Sequence, residues 1–262
     1  METSLYSKHF YRNSCSESFE AFTITEGESN LWIGWNHENK ACYRSLSAEI
    51  KKTAAEKLKE ERFLIKEHIK FQPLFLSSLE PIPMDKTALP IIRAMLEAGI
   101  EAGVGPMAAV AGALAESLGN SLLSKYGLSE VLVENGGDIW LCIKKPITLG
   151  VYAGLSSLSG TFGIKLEPGS WGLACSSATV GPALSFGQAD AAIALCKSGA
   201  MADAWATALG NASVSRSDPS VGINAIWNGP KKPLAALVIC AERLHARGSL
   251  QFVPLIKNAK PY

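Results

Sequence analysis

The chain has almost no excess of charge: 25 basic and 24 acidic residues leave +1 over 262 residues. Such a balance gives no broad attraction to nucleic acid or acidic lipid, so neither is expected as a partner, although small cationic patches stay open. It also lacks any run near the about 20 consecutive apolar residues of a membrane helix. The most apolar long region, 103–118, is rich in Gly and Ala and reads as a buried helix. The first twenty residues contain Lys8 and Arg12 but no apolar core segment, so no secretory signal is expected. Cys15 follows Tyr-Arg-Asn-Ser, unlike the apolar run before a lipoprotein cysteine. The six cysteines, Cys15, Cys42, Cys142, Cys175, Cys196 and Cys240, form no Cys-x-x-Cys pair and no Cys/His cluster at zinc spacing. Free thiols in a reducing compartment, and so a cytoplasmic protein, are the expectation. Walker A, GxGxxG and GxSxG motifs are all missing.

What is present is 47% apolar and 19% charged, a composition that suits a folded globule. The length fits one domain over 1–262, or two intimately packed α+β halves with a boundary near 125–150. Residues 18–46 alternate aromatic and β-branched runs ("SFEAFTIT", "NLWIGWN", "ACYRSL") with polar turns, which predicts an antiparallel hairpin or meander. The following segment places Ile50, Ala54, Leu58, Ile65 and Ile69 along one stripe of an amphipathic helix, with His68 on its solvated side. Four prolines, Pro73, Pro81, Pro83 and Pro90, mark a crossing loop. Two helices, 88–101 and 106–125, follow, joined at Gly103-Val104-Gly105, with Pro106 suited to the first turn of the second. Ala108, Ala111, Gly112 and Ala115 permit close packing on a neighbour.

Beyond these, "SEVLVENGGDIWLCI" reads as two strands about a Gly-Gly interruption, and "ITLGVYAG", "GTFGIKL" and "WGLAC" as further strands. "QADAAIALCKSG" and "AMADAWATALGN" read as helices, and "VGINAIWNG" and "AALVICAERL" as β-segments. The two Ala-Asp-Ala copies at 189 and 202 are not a repeat. The fold class is therefore α+β, with largely antiparallel sheets packed with helices, because several links are too short for crossover helices.

Polar chemistry gathers in three islands. In the first, Glu134-Asn135-Gly136-Gly137-Asp138, paired glycines let a ligand approach exposed backbone N–H groups; an ordinary hairpin turn explains them equally. In the second, Ser176, Ser177 and Thr179 could hold phosphate oxygens or a ribose, or form a plain loop. In the third, helical spacing puts Asp203 and Thr207 on one face. Either Asp203 caps its helix and Thr207 bonds to its own backbone, or the two supply oxygen ligands suited to Mg²⁺, which keeps positions for water and phosphate. Converging, the islands would form a cradle for a cation and a diphosphate. Cys142 and Cys175 adjoin them, but a thiol nucleophile needs a base, and His9, His37, His68 and His245 all lie in polar text far along the chain.

Taken in order, "AGVGPMAAVAGALAE", "VENGGDIWL", "CSSATVGPALSFGQAD" and "ADAWATALGN" resemble the motif series of a short family related to the ApbE flavin transferases, from about residue 18 to about 245. The resemblance implies an ApbE-like, T-fold-related architecture with FAD, or another diphosphate-containing nucleotide, bound at an Mg²⁺ site. It implies cleavage of the FAD diphosphate and attachment of FMN to a Ser or Thr hydroxyl. Asp203 and Thr207 match the family's Ala-Asp-Ala-x-Ala-Thr metal motif, and Gly136, Gly137 and Asp138 its Gly-Gly-Asp element near the nucleotide. Pro106 stands at the place of the family's lysine, and Pro182 where the short branch carries a histidine. No catalytic residue is assigned. Three readings stay open: FMN or nucleotidyl transfer to a protein or small-molecule hydroxyl acceptor, ligand binding without transfer, and an oligomeric scaffold. Trp32, Trp35 and Trp140 fit contacts between copies in a homo-oligomer.

Overall fold

Alternation at the start of the chain is realised as a hairpin of β1 (Glu20–Glu26) and β2 (Ser29–Asn36), closed where Gly27 takes φ +55°. The computed structural model describes residues 19–177 and 187–255. "ACYRSL", expected as a third β-run, instead opens a helix. Asn39 accepts the Ala41 N–H and caps a 3-10 turn (Lys40–Cys42) that leads straight into α1 (Tyr43–Phe71). The capping side chain outweighs the β-propensity of the run. Along α1 the expected stripe is buried at Ile50, Ala54, Leu58 and Ile65. His68 departs from expectation: it is half-buried, packs edge-on to Phe75 at 4.7 Å between ring centroids, and buries Nε2.

The short α2 (Leu74–Ser77) and the proline-marked loop precede α3 (Pro90–Ala102), which ends at Gly103 with φ +74°. Pro106 opens a 3-10 turn (Pro106–Ala109) that continues as α4 (Val110–Tyr126). The axis turns by 106° at this break, and no single helix among the described residues is long and apolar enough to cross a membrane.

Five strands follow: β3 (Glu130–Asn135), β4 (Asp138–Ile143), β5 (Ile147–Gly150), β6 (Phe162–Leu166) and β7 (Gly169–Ser176). The segment "QADAAIALCKSG", expected as a helix, is β8 (Ala191–Cys196). All six of its residues are buried. Ala191, Ile193 and Leu195 face one core, and Ala192, Ala194 and Cys196 face the helices. An inner strand covered on both faces has no polar alternation to betray it, and burial between β7 and β9 overrides the helix propensity of alanine. After α5 (Gly199–Ala212), "VGINAIWNG" forms α6 (Ser220–Trp227) rather than a strand. Ile223, Ile226 and Trp227 share a helical stripe against β8 and β9. The chain closes with β9 (Ala235–Cys240), β10 (Arg243–Gly248) and β11 (Gln251–Pro254).

The strands make an eight-stranded antiparallel sheet, β1-β2-β3-β4-β7-β8-β9-β10, and a three-stranded sheet, β11-β6-β5. Helices pack on one face of the large sheet, where Val131, Val133 and Trp140 join the core of α1, α3, α4 and α5. The small sheet packs on the other through Leu149 and Ile164 against Leu141, Ile193 and Leu237. The class is α+β with antiparallel sheets packed with helices. The large sheet takes β1 and β2 from before residues 125–150 and its remaining strands from that stretch onward. Trp32, Trp35 and Trp140, expected to fit contacts between copies, are core side chains, 7%, 0% and 3% exposed, and so offer no contact surface.

Candidate functional site

Three glycines bring the site together. A Cβ on Gly112 would lie 2.1 Å from the Gly199 carbonyl oxygen, and one on Gly172 would lie 2.2 Å from that of Ser198. Backbone therefore meets backbone where α4, β7 and the start of α5 converge, which is what the small-residue run in α4 permits. This contact sets Asp203 beside the first turn of α4. Its Oδ2 accepts the Gly112 N–H at 2.9 Å, and the Ala111 N–H also points at it. Asp203 does not cap its own helix, as one sequence reading had it; Ser198 does, accepting from Met201 N at 3.3 Å. Thr207 follows one turn later on α5, half-buried like Asp203.

The Gly-Gly island is a two-residue hairpin turn. Asn135 pairs with Asp138 across Gly136 (φ +70°) and Gly137 (φ +111°), the left-handed pair that a type I′ turn demands. A Cβ at either glycine would meet nothing within 4 Å, so glycine is there for its φ and not for a close approach. The turn still places Asn135 and Asp138 on the helix-facing side of the sheet end. Asn135 Nδ2 donates to the Ala111 carbonyl at 3.3 Å, and Glu134 Oε1 accepts the Gly137 N–H at 2.8 Å. Asn135 and Asp203 thus hold the carbonyl of Ala111 and the N–H of Gly112.

Ser176 ends β7 and Ser177 follows; both are buried, and the neighbouring Cys175 N–H points at Asp138. Thr179 and Pro182 lie outside the described residues. Asn135, Asp138 and Asp203 meet at one end of the sheet with the start of the serine loop beside them.

Their electrostatics are unbalanced. Burial pushes Asp203 up to about 7 against the pull of the Gly112 and Ala111 N–H groups. Burial also pushes Asp138 well above the usual carboxylate range, and the charges of Asp203 and Glu134 push it further, with only the Cys175 N–H opposing. Among the described residues, every charge acting on Asp138 is negative. Both aspartates keep partial solvent access. No group of three or more His, Cys, Asp or Glu among the described residues is arranged to hold a metal ion. A cation here would have two protein carboxylates and would complete its shell from hydroxyl, water or ligand oxygens, a donor set that suits a hard ion such as Mg²⁺.

Burial makes the thiolate form unfavourable at Cys175, Cys196 and Cys240. Cys175 and Cys196 are lifted to about 12, and Cys142, Cys175, Cys196 and Cys240 are all free. Pro106, where the resemblance led to the expectation of a lysine, is buried at the head of the 3-10 turn.

Sequence reading missed two polar arrangements. Glu116 Oε2 accepts from Ser198 Oγ at 2.7 Å, Gly199 N at 2.8 Å and Ala200 N at 3.4 Å, closing the N-terminus of α5. Asp190, 3% exposed, pairs with Arg216 through both carboxylate oxygens at 3.2 and 3.3 Å and accepts the Ala241 N–H at 2.6 Å. No local motif signals either, because both join residues distant in sequence.

Comparison with known proteins agrees with the architecture. The family model described as AbpE bacteria matches residues 12–225. A UPF0280 protein of Methanocaldococcus jannaschii is 39% identical over 215 residues, 80% of this chain and 86% of that protein. Another, of Methanothermobacter thermautotrophicus, is 42% identical over 167 residues, 63% of this chain and 64% of that protein. Among solved structures, the ApbE protein of Thermotoga maritima superposes with a TM-score of 0.50 at 12% identity, covering 87% of this chain and 96% of that one. The apo flavinyl transferase ApbE of Pseudomonas stutzeri gives 0.49 at 14% identity, covering 88% and 94%. The Thermotoga likeness shows a shared ApbE-like fold. By the extent of the family match and the Methanocaldococcus relative, this chain belongs to the ApbE-related family that the AbpE bacteria model describes.

Proposed function

We propose that the junction of α4, α5 and the β3–β4 turn binds a divalent cation, Mg²⁺ by its donor chemistry, together with the phosphates of FAD or another diphosphate-containing nucleotide. The observation that carries this reading is the Asp138 and Asp203 pair at one end of the sheet: two half-buried carboxylates raised by burial, with the charge of Asp203 raising Asp138 further and no positive charge among the causes acting on either. A buried like-charge pair is costly unless a proton or a cation neutralises it. Asp138 and Asp203 would hold the ion, and Thr207 is the neutral oxygen on the same helix face. Asn135, Gly136, Gly137, Ser176, Ser177 and Thr179 are the residues proposed to line the nucleotide. A bound divalent cation would offset charge on the phosphates and on phosphorus in a transfer step.

Transfer of FMN or a nucleotidyl group to a hydroxyl, of a protein or a small molecule, is the activity this reading extends to. Membership of the ApbE-related family, with the resemblance of the motif series to the ApbE flavin transferases, supports it. A second reading, binding without transfer, is favoured by Pro106: no basic side chain occupies the lysine's place.

Isothermal titration of the purified protein with FAD, FMN, ADP and ATP, each with and without Mg²⁺, tests the site. Binding of a diphosphate-bearing ligand that requires Mg²⁺ and is lost in Asp203→Ala/Thr207→Ala is the expected result. Equal affinity in a folded double variant overturns the cation site. Release of AMP from FAD, with FMN attached to an acceptor, selects transfer over binding alone.

A further inference from the structure

Glu116 sits one turn after Gly112 on α4 and, in the proposed site, has no ligand to touch. Its carboxylate is spent on the first turn of α5, where it takes the Ser198 hydroxyl and the Gly199 and Ala200 N–H groups. With Ser198 Oγ accepting from Met201 N, the first-turn donors of α5 are satisfied. The same two helices are joined in the reverse sense by Asp203, which accepts from Gly112 in the first turn of α4. Between these two bonds the backbones touch, with a Cβ on Gly199 falling 2.6 Å from the Gly112 carbonyl oxygen.

A helix that slides or rotates along its neighbour breaks both bonds together, because Gly112 lies beside Asp203 where Glu116 lies beside Gly199. The Glu116 end is the stronger anchor: one carboxylate oxygen takes three donors and meets the positive end of a helix dipole. The Asp203 end has fewer donors, the Gly112 and Ala111 N–H groups. We propose that Glu116 is a positioning residue: it locks α5 in the register on α4 at which Asp203 meets the Gly112 N–H, and so sets the affinity of the proposed cation and diphosphate site. The affinity part rests on the function proposed above. The register part does not.

Two measurements separate them. Amide hydrogen exchange reports the register without any ligand, since the Gly112 N–H is protected by Asp203. In Glu116→Ala, exchange at Gly112 is expected to accelerate at least about tenfold, while amides of the inner strand β8, such as Ile193, hold their rates. Glu116→Gln keeps an acceptor oxygen and should restore Gly112 protection to within about threefold. Titration with FAD and MgCl₂ is expected to show at least about tenfold weaker binding in Glu116→Ala, again restored by Gln. A general structural role would accelerate Gly112 and Ile193 together, and that result overturns the proposal, as does unchanged Gly112 exchange in a folded Glu116→Ala protein. If wild-type protein binds none of the nucleotides, the ligand site falls and the exchange data still decide the register. Should Glu116→Ala fail to fold, Ser198→Ala removes one of the three donors; roughly threefold faster Gly112 exchange is expected, and no change overturns the proposal.

Discussion

Asp203 on α5 accepts the backbone N–H of Gly112 on α4 at 2.9 Å, and in doing so leaves its own helix to be capped from elsewhere. Glu116 on α4 performs that service for α5, accepting from Gly199 at 2.8 Å. Each helix lends a carboxylate to the first turn of the other. The two contributions are not equivalent: the charge of Asp203 is destabilised by burial and lies beside that of Asp138. A residue needed only for capping could be a serine, as Ser198 is.

The first prediction concerns pH. Asp203 in the folded protein is raised to about 7, above the usual value near 4 for an unfolded chain. Between those values the folded state binds more protons than the unfolded state, so stability without a bound cation falls as pH rises through that window. Asp203→Asn keeps an oxygen for Gly112 and removes the charge. The variant should be more stable than the wild type at pH 8 by about 1 to 2 kcal/mol, discounted for partial exposure, with the gap closing near pH 4. Urea midpoints at both pH values measure this; a less stable variant at pH 8 would refute it.

Cation binding should reverse that order. If the carboxylate pair holds Mg²⁺, millimolar MgCl₂ with FAD should raise the melting temperature of the wild type and leave Asp203→Asn unchanged. Differential scanning fluorimetry reads the difference directly.

Crowding at the helix junction leads to a third expectation. Gly112→Ala would put a methyl 2.1 Å from the Gly199 carbonyl oxygen, a backbone atom that cannot turn aside. A loss of about 3 kcal/mol or more is expected, against less than about 1 kcal/mol for an alanine at exposed Asn120, as measured by chemical denaturation.

Ala241 is the non-glycine residue with positive φ among the described residues, at +54°, held there while its N–H donates to buried Asp190. Ala241→Gly should stabilise the protein by about 0.5 to 1 kcal/mol by relieving that conformation. Asp190→Ala should cost about 1 to 3 kcal/mol, mainly because it strands the Ala241 N–H, while half-exposed Arg216 keeps its bond to the Gln188 carbonyl. Thermal or urea unfolding of the two variants tests both signs.

Cysteine chemistry supplies the fifth. With Cys175 and Cys196 lifted to about 12, alkylation by iodoacetamide at pH 8 should leave both unmodified in the folded protein, whereas denaturant exposes them. Peptide mapping by mass spectrometry distinguishes the two states.

Much of this was legible in the sequence. The stripe through Ile50, Ala54, Leu58 and Ile65 has the helical period, and Gly103 and Pro106 punctuate two helices, because amphipathic periodicity and turn chemistry are local properties. Gly136-Gly137 announced the β3–β4 turn for the same reason. β8 was not legible: Ala191 to Cys196 is apolar throughout, and only its neighbours on both faces decide strand over helix. Nor was α6, whose Ile223, Ile226 and Trp227 stripe spans too few turns to outvote β-branched residues. The sequence by itself set the α+β class and put a carboxylate at 138 and another at 203. Tertiary structure alone decided that the charge of Asp203 acts on Asp138 and that Glu116 closes α5, because both relationships join residues far apart in the chain, brought together around a glycine-lined contact between backbones.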